Sequence, residues 1–241
     1  MVGKSGGQAG GRSGGGRTVQ RGAACLAVLL SALPPVRLTA QVGHNPGASP
    51  YHDLRRGAML RLVGGYFGGE RGKIPVGASH GWTGGLRFEY QASNVIIFTT
   101  GIAYAQTDAF YVTARESPPD TVGPVNNDLV LADAGLQISL TGGKTFHGLL
   151  PYIGGTVGLA FGSPIAADTS GYDFGTKITA GPEAGIRWYP GRRVSFELGG
   201  RIVYYRLQYP AIFRLALLPP NASLTEWTAH PWATFGVAWT F

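Results

Sequence analysis

Cysteine is nearly missing from this sequence: Cys25 is the only one in 241 residues. It falls in an N-terminal segment expected to be removed, so the mature chain holds none. That excludes a disulfide framework, a Cys-ligated zinc site and a Cys nucleophile together, and it suits export to an oxidising compartment. Charge is scarce too, at 14% of residues against roughly 25% in an average soluble domain. Long hydrophobic runs are absent after the leader, where no stretch approaches the roughly 18 apolar residues of a spanning helix. Apolar spacing at i, i+3, i+4 and i+7 is nowhere sustained in the mature chain. Glycine, a poor helix residue, reaches 39, so an all-α fold is excluded. The glycines follow no G-X-Y period, which excludes collagen.

The formal charge of +7 is mostly a property of the leader. Residues 1–40 hold Lys4, Arg12, Arg17, Arg21 and Arg37 and no acid, which leaves the rest of the chain at +2. A basic start, the apolar run Gly22 to Leu33 and a Pro-broken stretch ending Leu38-Thr39-Ala40 are the three parts of a secretory signal peptide. A membrane anchor or a Gly/Arg-rich tail are the alternatives, but about twelve apolar residues fall short of the roughly twenty that span a bilayer. Cys25 precedes most of the run rather than following it, so lipidation is not expected. The expected organisation is a signal peptide over 1–40, a short periplasmic segment over 41–56 and a barrel over 57–241. The mature chain has no basic cluster larger than Arg192-Arg193, so no nucleic-acid partner is expected.

What fills the mature chain is period-two alternation. Trp82, Gly84, Leu86, Phe88 and Tyr90 alternate with Thr83, Gly85, Arg87, Glu89 and Gln91. Successive strand side chains point to opposite faces, so this strand has one greasy and one polar face. The pattern recurs in Ile96–Ala105, Val130–Thr141, Lys177–Trp188, Val194–Tyr204 and Ala233–Phe241, and less regularly in 57–67 and 150–161. The total is eight. A soluble β-sandwich also alternates, so two further features decide. The runs are about ten to fifteen residues, against a globular mode of five or six and the nine to eleven that a tilted membrane strand needs. Connections also alternate between long and short: 68–79, Ser93-Asn94, 107–127, 143–149, 163–175, Pro190 to Arg193 and 206–225. Short turns at one end and long loops at the other define an up-and-down barrel. The expected fold is all-β, an eight-stranded antiparallel up-and-down transmembrane β-barrel.

Three stretches carry a resemblance. Phe241, with Trp239, Val237 and Phe235 at alternate positions before it, resembles the terminal strand read by the outer-membrane assembly machinery. Pro151 to Gly158 resembles a Pro-Tyr, Gly-spaced strand of the small outer-membrane β-barrel proteins, those with an OmpA/OmpX-like barrel domain. Gly181 to Arg201 is similar to paired strands near the end of that family. The resemblance implies a monomer in the cell outer membrane, outer-membrane lipid and the assembly machinery as partners, and no one activity. Pro182 departs from the pattern, and a bulge is expected there.

The inward face carries Arg61, Arg87, Glu89, Asp133, Glu183, Arg187, Glu197 and Arg201, four bases against four acids. An eight-stranded interior is just wide enough for side chains to fill, and charges withdrawn from water must pair. These residues are expected to form an ion-pair network closing the lumen; a narrow pore or transporter is the alternative. Catalytic motifs are poor. His44, His52, His80, His147 and His230 show no metal-ligand spacing, and there is no G-x-S-x-G elbow. Gly143-Lys144-Thr145 lacks the upstream glycine of a phosphate loop. His230 and Glu226 fall near the outer end of the last strand without a serine beside them, so a lipid-modifying enzyme is the least favoured reading. No catalytic residue, metal or cofactor is assigned. Binding by an unidentified extracellular ligand is expected in the outward loops, at Phe110 and Tyr111 beside Pro118-Pro119, and at Tyr209 and Phe213 beside Leu215, Leu217 and Leu218. The second of these loops either packs over the barrel mouth, dips into lipid or forms a partner patch.

Overall fold

A computed structural model describes residues 49–54, 57–113, 120–213, 218 and 221–241. The expected signal peptide lies outside these residues, as do positions 41–48, Pro118-Pro119, Leu215, Leu217 and Pro219-Pro220. The strands are β1 (Tyr51–Asp53), β2 (Ala58–Phe67), β3 (Gly81–Gln91), β4 (Ile96–Thr113), β5 (Asp120–Ser139), β6 (Lys144–Phe146), β7 (Leu149–Gly162), β8 (Thr176–Trp188), β9 (Val194–Gln208) and β10 (Thr225–Thr240).

Eight of them close a ring. β2, β3, β4, β5, β7, β8, β9 and β10 pair antiparallel in that order, and β10 returns to β2 with Trp232↔Phe67 through Thr240↔Met59 in register. Closure satisfies every strand edge, the condition for a sheet that faces hydrocarbon. The outward side chains form the expected apolar wall. Leu62, Leu86 and Ile102 stand in one cross-strand row, and Ile178 and Leu198 are 77% and 70% exposed. Exposed aromatics flank this wall: Tyr66, Trp82, Tyr104 and Trp227 towards the long loops, Tyr90, Phe98, Trp188 and Trp239 towards the short turns. An apolar band between two aromatic girdles matches the layering of a bilayer.

Four features differ from the sequence reading. First, 107–127 is not mainly a loop. β4 and β5 continue as a hairpin beyond the wall, with a bulge between Ala109 and Tyr111 and pairing as far as Thr113↔Asp120. Neighbouring loops supply partners that local alternation could not show: Phe110 N–H donates to the Pro75 carbonyl at 3.3 Å and Thr169 N–H to the Val112 carbonyl at 3.3 Å. Second, Pro182 makes no bulge. The β8–β9 register is the same at Ala180↔Tyr204 and at Glu183↔Arg201, so only ladder bonds are lost. Third, Lys144–Phe146 forms β6. It turns into β7 through His147 and Gly148, both at positive φ (50° and 78°), the two-residue hairpin geometry that favours glycine. Fourth, Tyr51–Asp53, within the expected periplasmic segment, pairs with β6 outside the ring.

Candidate functional site

The lumen is the place where this fold gathers chemistry. Because β2, β3, β5, β8 and β9 all alternate, their polar faces converge inside the ring, and all eight predicted charged residues meet there. Towards the short turns, Arg61, Glu89, Arg187 and Glu197 form a four-membered ring. Arg61 Nε lies 2.8 Å from Glu89 and 3.4 Å from Glu197; Arg187 lies 3.1 Å from Glu89 and 2.7 Å from Glu197. All four side chains are buried, so pairing replaces water as the stabilising partner. One step further along, Arg87 meets Glu183 at 2.9 Å and Asp133 at 3.5 Å, and Arg201 meets Asp133 at 2.6 Å.

Gln137 joins the two groups. Its amide Nε2 donates to Glu183 at 2.7 Å, and its oxygen accepts a short hydrogen bond from Arg187. Gln137 was visible in the sequence as an inward position of the β5 alternation. An uncharged side chain carries no pairing requirement, so the sequence pattern alone does not place it in the network.

Towards the long loops the lumen changes character. Phe67, Leu129, Leu131, Val203, Tyr205, Leu207 and Trp232 point inward. Ile74, Val76 and Ala78 of the loop between β2 and β3, and Phe174 of the loop before β8, fold down onto them. His230 is sandwiched here, with its ring 4.1 Å from Tyr205 at 11° and 5.3 Å from Phe67 at 14°. Its Nε2 lies 2.8 Å from Thr228 Oγ1. Glu226 faces elsewhere: it accepts the Lys73 N–H at 2.6 Å and a short bond from the Tyr209 hydroxyl. His230 therefore meets no carboxylate among the described residues, and the pair that marked the enzyme reading is split between a stack and a loop anchor.

The two layers meet at Arg201, whose guanidinium carbon sits 3.7 Å above the Trp232 ring while its Nη1 holds Asp133. That is cation–π distance. Between the layers remains a cavity of about 30 Å³ lined by Arg87, Asp133, Glu183, Arg201, Trp232 and Thr234 among others. At about 10–15 Å³ per water, it admits a few waters and no solute.

The loop candidates fall in unexpected places. Phe110 and Tyr111 are strand residues of β4 and half-buried, and Arg71 lies 4.6 Å over the Phe110 ring. Tyr209 and Phe213 are 3% and 1% exposed. These two residues pack into the apolar layer over the mouth, with Leu218 partly buried against it. Burial, and then the bond to Glu226, hold the Tyr209 hydroxyl well above the ordinary tyrosine range. The terminal residues Phe235, Val237, Trp239 and Phe241 all face outward on or just beyond β10.

No family model matches the chain. No curated protein matches it. Solved structures do. The crystal structure of Neisserial surface protein A superposes with a TM-score of 0.53 at 13% identity, over 76% of this chain and 97% of that one. The likeness shows the fold. OprG of Pseudomonas aeruginosa gives a TM-score of 0.45 at 13% identity, over 78% and 98%. The N-terminal barrel domain of OprF from the same organism gives 0.44 at 13%, over 77% and 98%. The chain has the architecture of the small eight-stranded outer-membrane barrels.

Proposed function

We propose that this protein is an integral outer-membrane β-barrel with a lumen closed against solutes, acting through its outward surface or through membrane integrity. The observation that carries the reading is the double seal: a layer of paired charges and a layer of packed aromatics, in series, inside a ring whose outer wall is apolar. A conducting pore needs a continuous wet path, and a shape with two different seals opposes one. The four outward residues Phe235, Val237, Trp239 and Phe241 serve in this reading as the strand engaged by the assembly machinery. The paired charges Arg61, Arg87, Glu89, Asp133, Glu183, Arg187, Glu197 and Arg201 act as structural elements rather than catalysts. Binding falls to the outer rim and to Phe110 and Tyr111, since Tyr209 and Phe213 are committed to packing.

The test is a gel of outer-membrane fractions with and without boiling, followed by conductance of the purified protein in a planar bilayer. A heat-dependent shift with no single-channel steps is the expected result. A protein found soluble in the periplasm and without a shift sinks the membrane reading; stepwise conductance in the wild type sinks the closed lumen.

A further inference from the structure

The closed lumen gives His230 no role, yet this imidazole is fully buried in the apolar layer. Its Nε2 has Thr228 Oγ1, but its Nδ1 has no hydrogen-bond partner among the described residues. That nitrogen abuts the base of the loop between β2 and β3. A methyl group added at Gly69 would strike Nδ1 and stand 3.0 Å from the Ser79 carbonyl oxygen. Gly69 opens the loop and Ser79 closes it, so the ring lies beside both stems.

The loop carries Ile74, Val76 and Ala78 into the layer. Its stems extend the neighbouring ladders, with Gly68 N–H on the Pro231 carbonyl at 2.8 Å and Ser79 N–H on the Asp108 carbonyl at 2.9 Å. Between the stems, Lys73 N–H donates to Glu226 and the Pro75 carbonyl accepts from Phe110 N–H. Gly68-Gly69 and Gly72, the last at φ 84°, give the first half of the loop its backbone freedom.

No charged group acts on the His230 ring. The ionisable residues of the elements around it are engaged elsewhere. On β10, Glu226 holds Tyr209 and Lys73 N–H. On β9, Arg201 holds Asp133 and Glu197 holds Arg187, and on β2 Arg61 holds Glu89. In the loop, Glu70 and Lys73 are exposed, Arg71 lies over Phe110, and His80 faces Asp108 at 3.3 Å on the surface. Tyr205 presents its ring face, and Tyr172 and Tyr209 face each other. An imidazolium needs a carboxylate or water. The seated loop supplies neither, and water arrives only when the loop lifts.

We propose that His230 is an acid-operated release for the loop over the mouth. Protonation favours the lifted loop, which uncovers the apolar layer to the outside while the ring of Arg61, Glu89, Arg187 and Glu197 stays shut. The proposal rests on the barrel reading above and adds regulation to it, an apolar surface covered at neutral pH and offered in acid. In the lifted state the imidazole titrates near its ordinary value of about 6.5. Each pH unit below that value therefore raises the ratio of lifted to seated loop by up to about tenfold.

The experiment is hydrogen exchange of the full chain in phosphatidylcholine vesicles at several pH values from 7 to 5, corrected for the intrinsic rate. This range stays above the ordinary carboxylates, so Glu226 keeps its charge. Protection of the amides of 70–79 and of Phe110 should fall about thirtyfold across it, with the β8 and β9 amides unchanged. His230→Phe, which keeps the stack and takes no proton, should abolish the fall; His80→Asn, which removes the surface pair with Asp108, should leave it in place. Constant protection in the wild type overturns the proposal, as does an equal fall in His230→Phe. A fall lost in His80→Asn assigns the response to the surface histidine and also overturns it. Should His230→Phe not fold, His230→Gln serves the same comparison. A heat-dependent gel shift in each sample separates failure of this proposal from failure of the barrel itself.

Discussion

Arg187 Nε stands 2.7 Å from Glu197 Oε2 across the β8–β9 pair, with both side chains withdrawn from water. Neither residue is free to lose its partner, because Arg187 also holds Glu89 and Glu197 also holds Arg61. Arg187→Ala leaves two carboxylates facing one guanidinium, and breaking a buried pair in this way costs about 3–5 kcal/mol. Removing Arg187 and Glu197 together, as Arg187→Met/Glu197→Leu, leaves the Arg61–Glu89 pair neutral and intact. The urea midpoint of the heat-dependent gel shift should fall sharply in the single variant and recover most of the way in the double. A double variant as unstable as the single would show that packing volume, not charge, is what the site supplies.

The outer wall gives the opposite test, since there a charge should never be tolerated. Leu62 is 65% exposed and lies in register with Leu86 on one side and Val237 on the other. In a soluble protein, replacing so exposed a leucine by arginine changes stability by only about 0.5 kcal/mol either way. Near the middle of a bilayer the same change costs about 2–4 kcal/mol. Leu62→Arg should lower the folded yield in phospholipid vesicles and shift the urea midpoint down. An unchanged midpoint would falsify the placement of this row in hydrocarbon.

The ring and the charge layer were legible in the sequence, and the aromatic layer was not. Alternation assigns a face to each residue, so Arg87, Glu89, Asp133 and Arg201 could be sent inward from their neighbours alone. Opposite charges on one closed face must then pair, which yields the network without coordinates. Leu129, Leu131, Val203 and Leu207 also face inward, but an apolar residue in an apolar-rich strand announces no partner. Ile74 and Val76 lie in a stretch that reads as a glycine-rich loop, and only the closed ring brings them over the lumen. Tyr209 and Phe213 stand in a stretch too apolar for a solvated loop, and their burial over the mouth explains that composition.

Glu226 ties that loop layer together, since one carboxylate oxygen accepts from Tyr209 O–H and from Lys73 N–H. Glu226→Ala removes both bonds and leaves a buried donor unpaired, at about 1–3 kcal/mol. The loss should be local, visible as faster tryptic cleavage after Arg71 and Lys73 with little change in the barrel's unfolding midpoint. Cleavage at the wild-type rate would mean that the loop is held by its apolar contacts alone.

The same contact predicts a response to alkali. The Tyr209 hydroxyl is held above its ordinary range of about 10, by burial first and then by the bond to Glu226. A raised acid favours its protonated form in the folded state. Its contribution is fully present below the unfolded value and is lost as pH climbs from there through the folded value. Tyr209→Phe should therefore be less stable than the wild type at pH 8, and the gap should close or reverse above about pH 10. Urea midpoints of the two proteins at several pH values measure it, and a gap that stays constant across this range would remove Tyr209 as the titrating group.

Two seals in series make a specific statement about conductance. Arg201→Ala removes an arginine from both layers at once, since this residue holds Asp133 and covers Trp232. The space between the layers widens, yet the ring of Arg61, Glu89, Arg187 and Glu197 still closes the short-turn end, and Ile74, Val76 and Phe174 still fill the other. A single variant should therefore be less stable and still silent in a planar bilayer. Replacing residues 71–77 by a short Gly/Ser loop opens the opposite end and should also be silent, because the ring of Arg61, Glu89, Arg187 and Glu197 stays closed. Only the combination of the loop replacement with Arg201→Ala and Arg187→Ala should give steps, provided its gel shift shows a folded barrel. Steps from Arg201→Ala alone would mean that neither the four-membered ring nor the apolar layer seals, and the closed-lumen reading would fall.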